Sequence, residues 1–299
     1  MKHLPLVYII LVNYNGYKDT IECIESINKI TYDNYRIIVV DNFSDDNSAK
    51  IIKQAFPNII FMQTFENLGF AGGNNKGIEY AINNKADYVL LLNNDTVVES
   101  GFLEYLVDTA EKDKKVGVVG GKIFYYYEPT LLWYAGAKVN KFTGKTEHIG
   151  DLKTDRPEYD EQCETGYVTG CMMLVSRSVI EKVGMMDENY FLYYEETDWN
   201  IRIRKADYKI VYNPKSVIYH KVSASIKKQS DIMTYYYDRN VYYFIMKNFG
   251  ILNKGFMFIY IRMVLMLKYI KYRNDSNRCD IIIKTYRSIE KHVMGVYVK

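Results

Sequence analysis

Short polar clusters follow apolar runs at several points of the 299-residue chain, and they hold the side chains able to do chemistry. Asn13, Tyr14 and Asn15 come after LVYIILV; Asp41, Asn42, Ser44 and Asp46 after RIIVV; Asn93, Asn94 and Asp95 after YVLLL. Amides and hydroxyls of this kind hydrogen-bond polar ligands, and an aspartate among them can ligate a hard divalent cation. Farther on, Glu195-Glu196-Thr197-Asp198 follows the aromatic run YFLYY, and His220 closes another apolar stretch. A carboxylate desolvated by aromatic neighbours has the raised pKa of a general base. Taken singly, each cluster reads more simply as a turn, a helix cap or a charge at a helix start. Three on one edge of a single sheet shift the balance toward a ligand site.

The elements that must position these residues follow from periodicity. Strand-like runs at 6–12, 36–40, 59–62, 88–92 and 116–119 are short, β-branched and continuous, as parallel strands covered on both faces are. Between them lie helical patterns such as Ile21, Ile24 and Ile27, or Phe102, Leu103, Leu106, Val107 and Ala110. The alternation predicts a doubly wound, mostly parallel α/β sheet, in which ligands bind outside the carboxyl ends of the strands. Asp19 with Glu22, and Ser178 with Glu181, have capping-box spacing, and Gly184 is placed to end the second of these helices. Residues 67–77, NLGFAGGNNKG, predict a flexible turn that lets backbone approach a ligand, although their order is neither G-x-G-x-x-G nor a P-loop. Residues 125–165 break the rhythm and are expected to form an inserted, partly irregular segment over one sheet edge. A strand at 168–175, a helix after Ser176, a loop, a helix from about Thr197 to Ala206 and two short strands ending at His220 complete the expected core. No internal repeat is visible.

Composition excludes disordered, collagenous and disulfide-stapled classes: 48% of residues are hydrophobic, 25% charged, with 18 Gly and 5 Pro. Cys23, Cys163, Cys171 and Cys279 form no C-x-x-C pair, which predicts a reducing, cytoplasmic setting. LPLVYIILV is followed by NYNG rather than a small-residue cleavage site, so a buried strand is expected there, not a signal peptide. GFMFIYI and MVLML are split by Arg262 and closed by Lys268, too short to span a bilayer. The net charge of +3 hides an asymmetry. From Lys221 onward 15 Lys and Arg face 5 Asp and Glu, whereas the rest holds 24 against 31. An acidic body suits a metal or a polar small molecule; a basic tail suits an anionic surface.

In order and spacing, VNYN (Val12 to Asn15), VDNFSDDNS, NLGFAGGNNKG, LLLNNDTVV, TGCMMLVSR and DENYFLYYEETDW resemble the inverting family-two glycosyltransferases with the GT-A nucleotide-sugar fold, and most of all their rhamnosyltransferase-like branch. The resemblance covers roughly residues 5–222; YYYDRN at 235–240 resembles the same branch. The charge switch places a boundary near 221, between an expected GT-A catalytic domain over 1–220 and a helical C-terminal region over 221–299. The resemblance implies that Val12, Asn13, Tyr14 and Asn15 lie beside the nucleotide, that Asp41 takes its base, and that Asn67, Gly69 and Asn75 frame the glycine-rich turn near it. Asn93-Asn94-Asp95 occupies the D-x-D position. With Asn93 in place of the first acid, Asp95 becomes the main ligand, with His220, for a Mn²⁺ or Mg²⁺ ion bridging the diphosphate. Glu196 matches the catalytic base, Glu195 and Asp198 completing the candidate catalytic set; Asp198 and Trp199 are expected to orient the acceptor or brace the loop.

The expected reaction is therefore metal-dependent transfer of a sugar, rhamnose among the candidates, from a dTDP- or UDP-sugar donor to a glycan or lipid-linked acceptor in surface polysaccharide synthesis. Seven basic and no acidic residues lie between Arg239 and Asn274, interleaved with aromatics and aliphatics. That pattern predicts docking on an anionic membrane, peripheral on the inner face of the cell membrane, or else a packed helical bundle with a solvated basic face, rather than docking on nucleic acid. Two rival functions remain: nucleotidyl transfer on a related sheet, whose basic glycine-rich triphosphate loop NYNG lacks, and a non-catalytic membrane-surface assembly protein.

Overall fold

The computed structural model describes residues 4–222 and 231–297. Four of the apolar runs become parallel strands, β1 (Val7–Asn13), β2 (Tyr35–Asp41), β3 (Ile60–Gln63) and β4 (Tyr88–Leu92), in the order β3-β2-β1-β4. Side chains alternate across a strand. Val7, Ile9 and Leu11 therefore pack against α1 (Tyr17–Ile27), α2 (Ser48–Ala55) and α4 (Phe102–Lys112) on one face. Tyr8 and Ile10 pack against α3 (Gly69–Asn83), α5 (Arg177–Val183) and α6 (Glu195–Lys205) on the other. Between α3 and α5 the chain adds β5 (Thr96–Val98), β6 (Val116–Tyr125) and β12 (Met172–Ser176); β12 runs antiparallel between β4 and β6. The inserted segment lies over that edge as β7 (Leu131–Tyr134), the hairpin β8 (Ala137–Val139) and β9 (Thr146–His148), then β10 (Lys153–Thr154) and β11 (Cys163–Glu164).

Several local expectations change. The glycine-rich segment is the first half of α3 and not a turn. A Cβ on Gly73 would lie 3.0 Å from Val12 Cγ1 and one on Gly77 2.6 Å from Ile10 Cγ2, so these glycines let the helix lie close on β1. The capping boxes do not form. The residue before α1 is Gly16, while Asp19 and Glu22 pair with Lys221 at 2.5 and 2.7 Å; α5 is capped by Ser176, which accepts from Val179 N, while Glu181 pairs with Arg177. Gly184 does end α5, at φ +82°. The two strands expected before His220 are one, β13 (Lys209–His220), parallel to β6 and antiparallel to β5, with a register shift between Asn213 and Val217.

The described residues of the basic tail hold three helices, α7 (Asp231–Asn248), α8 (Ile251–Lys271) and α9 (Ser276–Lys291). Their apolar residues, Phe244, Ile245, Met257, Ile261 and Ile282 among them, share one buried cluster with Tyr190, Tyr194 and Ile201, at and before the start of α6 and within it. The expected boundary near 221 adjoins residues 223–230, which lie outside the described residues. Among the described residues no helix is long and apolar enough to cross a membrane.

Candidate active site

The carboxyl ends of β1 and β4 and the start of α3 open on a cleft of ≈ 570 Å³. Of the eleven residues expected to bind the donor, eight line it: Val12, Tyr14, Asn15, Asn67, Gly69, Asn93, Asn94 and Asp95. Asn42, read as one of the polar residues ending the second strand, lines it too, as do Asp19, Phe70 and Asn74, which were not expected at the site.

The other three stand behind the wall. Parallel register puts Asn13 opposite Asp41 and Asp41 opposite Gln63, so a polar row crosses the carboxyl end of three strands. Asp41, fully buried, accepts from Asn13 Nδ2 (2.8 Å), Ser44 Oγ (2.6 Å) and Gln63 Nε2 (3.2 Å). Asn13 in turn accepts from Thr20 Oγ1 at 2.9 Å, and Thr20 accepts from Asn94 Nδ2 at 2.8 Å. The carboxylate expected to meet the base thus ties three loops together. Asn75 faces away, donating to Met186 O and Glu188 Oε1, both at 2.9 Å.

Asp95 and His220 are 125 positions apart in sequence yet meet because β5 pairs antiparallel with β13, Thr96 opposite His220, and Lys221 N donates to Asp95 O. His220 Nε2 lies 3.1 Å from Asp95 Oδ1 and 3.5 Å from Asn93 Nδ2. Trp133 of β7 packs edge-on against the imidazole at 4.6 Å. A spacing of 3.1 Å is also about that of adjacent donors on an octahedral ion with bonds near 2.1 Å, so the pair fits a hard divalent cation as two of its ligands. Among the described residues no cluster of three or more His, Cys, Asp or Glu exists to bind such an ion alone. Other donors would have to come from the diphosphate and water.

Across the cleft, Phe191 and Leu192 belong to the loop that leads into α6. Gly69, at φ +68°, permits its approach: a Cβ there would lie 2.1 Å from Phe191 O, and Phe70 N donates to that carbonyl at 2.8 Å. Glu195 and Glu196 open α6, two residues before the expected start. Glu196 is partly buried, and its Cβ would lie 3.7 Å from a Cβ on Gly170, beside Phe70 of the cleft wall. Burial pushes its carboxyl pKa up. Glu195 is pushed higher, by deeper burial and then by the charge of Glu196. Asp198 does not line the cleft. Fully buried, it accepts from Tyr190 Oη (3.1 Å), Arg202 Nε (2.8 Å), Lys247 Nζ (3.0 Å) and Asn248 Nδ2 (2.7 Å). It braces the loop, as does Trp199, whose Nε1 donates to Gly184 O.

Comparison with known proteins agrees with this geometry. The family model "Glycosyl transferase family 2" matches residues 8–184. The chain is 26% identical over 211 residues to an N-acetylglucosaminyl-diphospho-decaprenol L-rhamnosyltransferase of Mycobacterium tuberculosis, covering 63% of this chain and 67% of that protein. It is 26% identical over 223 residues to a poly-beta-1,6-N-acetyl-D-glucosamine synthase of Staphylococcus aureus, covering 74% of this chain and 51% of the synthase, about half its length. In fold it is similar to GalNAc-T7, solved with UDP, GalNAc and Mn²⁺, at a TM-score of 0.61 and 15% identity over 86% of this chain and 54% of that one. It is similar also to the mannosyltransferase PcManGT of Pyrobaculum calidifontis in complex with GDP-Man and Mn²⁺, at 0.60 and 13% over 96% and 88%. With the family model spanning more than half of the chain and the sheet, cleft and strand-end clusters all in place, this protein belongs to glycosyltransferase family 2, with a GT-A fold.

Proposed function

We propose that this enzyme transfers a sugar, with inversion, from a nucleoside diphosphate to a glycan or lipid-linked acceptor in surface polysaccharide synthesis, and that it needs a divalent cation to do so. The observation that carries the reading is the charge of the cleft. Its described lining includes Asp19 and Asp95 and no Lys or Arg. A leaving diphosphate gathers negative charge as the glycosidic bond breaks; Lys221 already pairs with Asp19, and Asp95 without a cation would oppose that charge. Asp95 and His220 would hold Mn²⁺ or Mg²⁺, which supplies that charge as a Lewis acid on the phosphate oxygens.

The chain's own groups do the rest. Val12, Tyr14 and Asn15 flank the nucleoside, with Asp41 setting the loops through Asn13 and Ser44. Glu196 takes the acceptor proton on the face opposite the leaving group, and the aromatic loop before it excludes water. Rhamnose or N-acetylglucosamine as the transferred sugar is supported by the names of the relatives, and a lipid-linked acceptor by that of the rhamnosyltransferase; dTDP-rhamnose and UDP-sugars are the donors to try first.

We take residues 1–220 as the catalytic unit and 221–299 as the region that docks it on the inner face of the membrane. Leu252, Phe256, Ile259, Met263, Met266 and Ile270, three or four residues apart, form an exposed stripe along α8, and Ile251 to Asn274 contains no acidic residue. Such a helix lies in an anionic interface with its apolar stripe inserted. A panel of nucleotide sugars, with and without Mn²⁺ and a lipid-linked acceptor, tests the chemistry through release of nucleoside diphosphate. Full activity in EDTA overturns the metal dependence. Vesicle binding that is equal on neutral and anionic lipid at all salt concentrations overturns the docking.

A further inference from the structure

The loop that delivers Glu196 is bent in a way its own residues disfavour. Phe191, Tyr193 and Tyr194 have φ of 64°, 69° and 75°, the left-handed region that bulky side chains avoid. Such a backbone persists only where its surroundings hold it, and here the carbonyls of the loop are gathered by one side chain from the tail. Asn240 of α7, fully buried, places Nδ2 at 2.9 Å from Tyr190 O, 2.8 Å from Leu192 O and 2.9 Å from Tyr193 O. Arg239 orients that amide, donating from Nε to Asn240 Oδ1 at 2.9 Å, and adds a bond from Nη2 to Tyr190 O at 3.0 Å. Two turns farther along α7, Lys247 and Asn248 hold Asp198 on the other side of the glutamates.

We propose that Asn240, oriented by Arg239, is a positioning residue for the catalytic base: α7 fixes the loop and so sets where Glu196 points. This gives the Arg-Asn pair of YYYDRN a task and makes the C-terminal region part of the catalytic unit, not only its membrane anchor. The inference rests on Glu196 being the base.

The experiment is a double-mutant cycle of Asn240→Asp with Glu196→Gln in the full chain, with Asn240→Ala as the second variant at the site. Asn240→Asp keeps the shape but turns the donor toward three carbonyls into an acceptor. Turnover should fall about tenfold or more, while nucleoside diphosphate affinity in Mn²⁺, which reports a folded cleft, stays within about twofold. In the Glu196→Gln background the same substitution should cost almost nothing further, since the group it positions is gone. The acid limb of the pH profile should move down in Asn240→Ala as the loop loosens and hydrates the glutamate. Wild-type turnover in both Asn240 variants, or an undiminished loss in the Glu196→Gln background, overturns the positioning role. Wild-type turnover in Glu196→Gln overturns instead the assignment of the base. Should both Asn240 variants fail to bind nucleotide, amide exchange of residues 190–194 in the wild type decides: exchange as fast as in exposed loops overturns the clamp, and protection matching that of α7 supports it.

Discussion

At the donor edge, Asn93, Asn94 and Asp95 leave the end of β4 in ordinary turn geometry, and Asp95 finds His220 through the pairing of β5 with β13. At the opposite edge, Glu195 and Glu196 follow three aromatic residues in left-handed conformation, held by side chains from a helix some fifty positions away. One edge is built by sheet register and would form wherever that sheet forms. The other depends on a long-range clamp. Two aspartates make the contrast concrete: Asp95 lines the open cleft, whereas Asp198 is closed in by four donors. Side-chain type alone does not assign a carboxylate to chemistry or to structure; its partners do.

The largest expected effect separates the edges by kinetics. Glu196→Gln should lower turnover by about 10² to 10⁴ with nucleotide affinity nearly unchanged, since the base acts on the acceptor. Equal losses in turnover and nucleotide affinity would place Glu196 on the donor side and erase the distinction. Next, Asp95→Ala should lower turnover by about 10² to 10³ and also weaken nucleotide binding in Mn²⁺, but not in EDTA. Weakening of the same size in EDTA would remove the metal from the donor edge.

Asp198→Asn should act through stability, by about 3 kcal/mol in denaturant unfolding, because it leaves Arg202 and Lys247 facing a neutral group at a buried site. An unchanged midpoint with abolished turnover would return Asp198 to the catalytic set. The smallest effect is on pH. Glu195 and Glu196 both have raised pKa values, so the folded pair keeps protons that the unfolded chain gives up. Activity should therefore rise with pH through an apparent pKa above the ordinary glutamate range, and stability should fall as pH climbs from that range to the folded values. An acid limb at the ordinary glutamate pKa in the profile of kcat/KM would show a hydrated base and a loop looser than the clamp implies.

Read alone, the residues determine the parallel sheet, because continuous apolar runs alternating with amphipathic ones have few other ways to bury both faces. They also determine which strand ends are polar, and hence most of the donor cleft. Local signals were less secure. Gly72, Gly73 and Gly77 read as a turn because glycine's freedom is visible in sequence while the closeness of Val12 and Ile10 is not. The boxes at Asp19 and Ser178 obeyed the spacing rule, but Lys221 and Arg177 captured the glutamates that would have completed them.

Only the tertiary structure decided which carboxylates are available. Asp41, Asp95, Glu196 and Asp198 all stand in polar clusters of similar composition, yet one ties loops together, one meets an imidazole, one is desolvated beside the cleft and one is locked among cations. Distant segments bring several of the partners that decide this, as β13 brings His220 to Asp95 and α7 brings Lys247 and Asn248 to Asp198. Spacing along the chain carries no record of that convergence, because the contacts join residues separated by 125 positions in one case and 50 in the other.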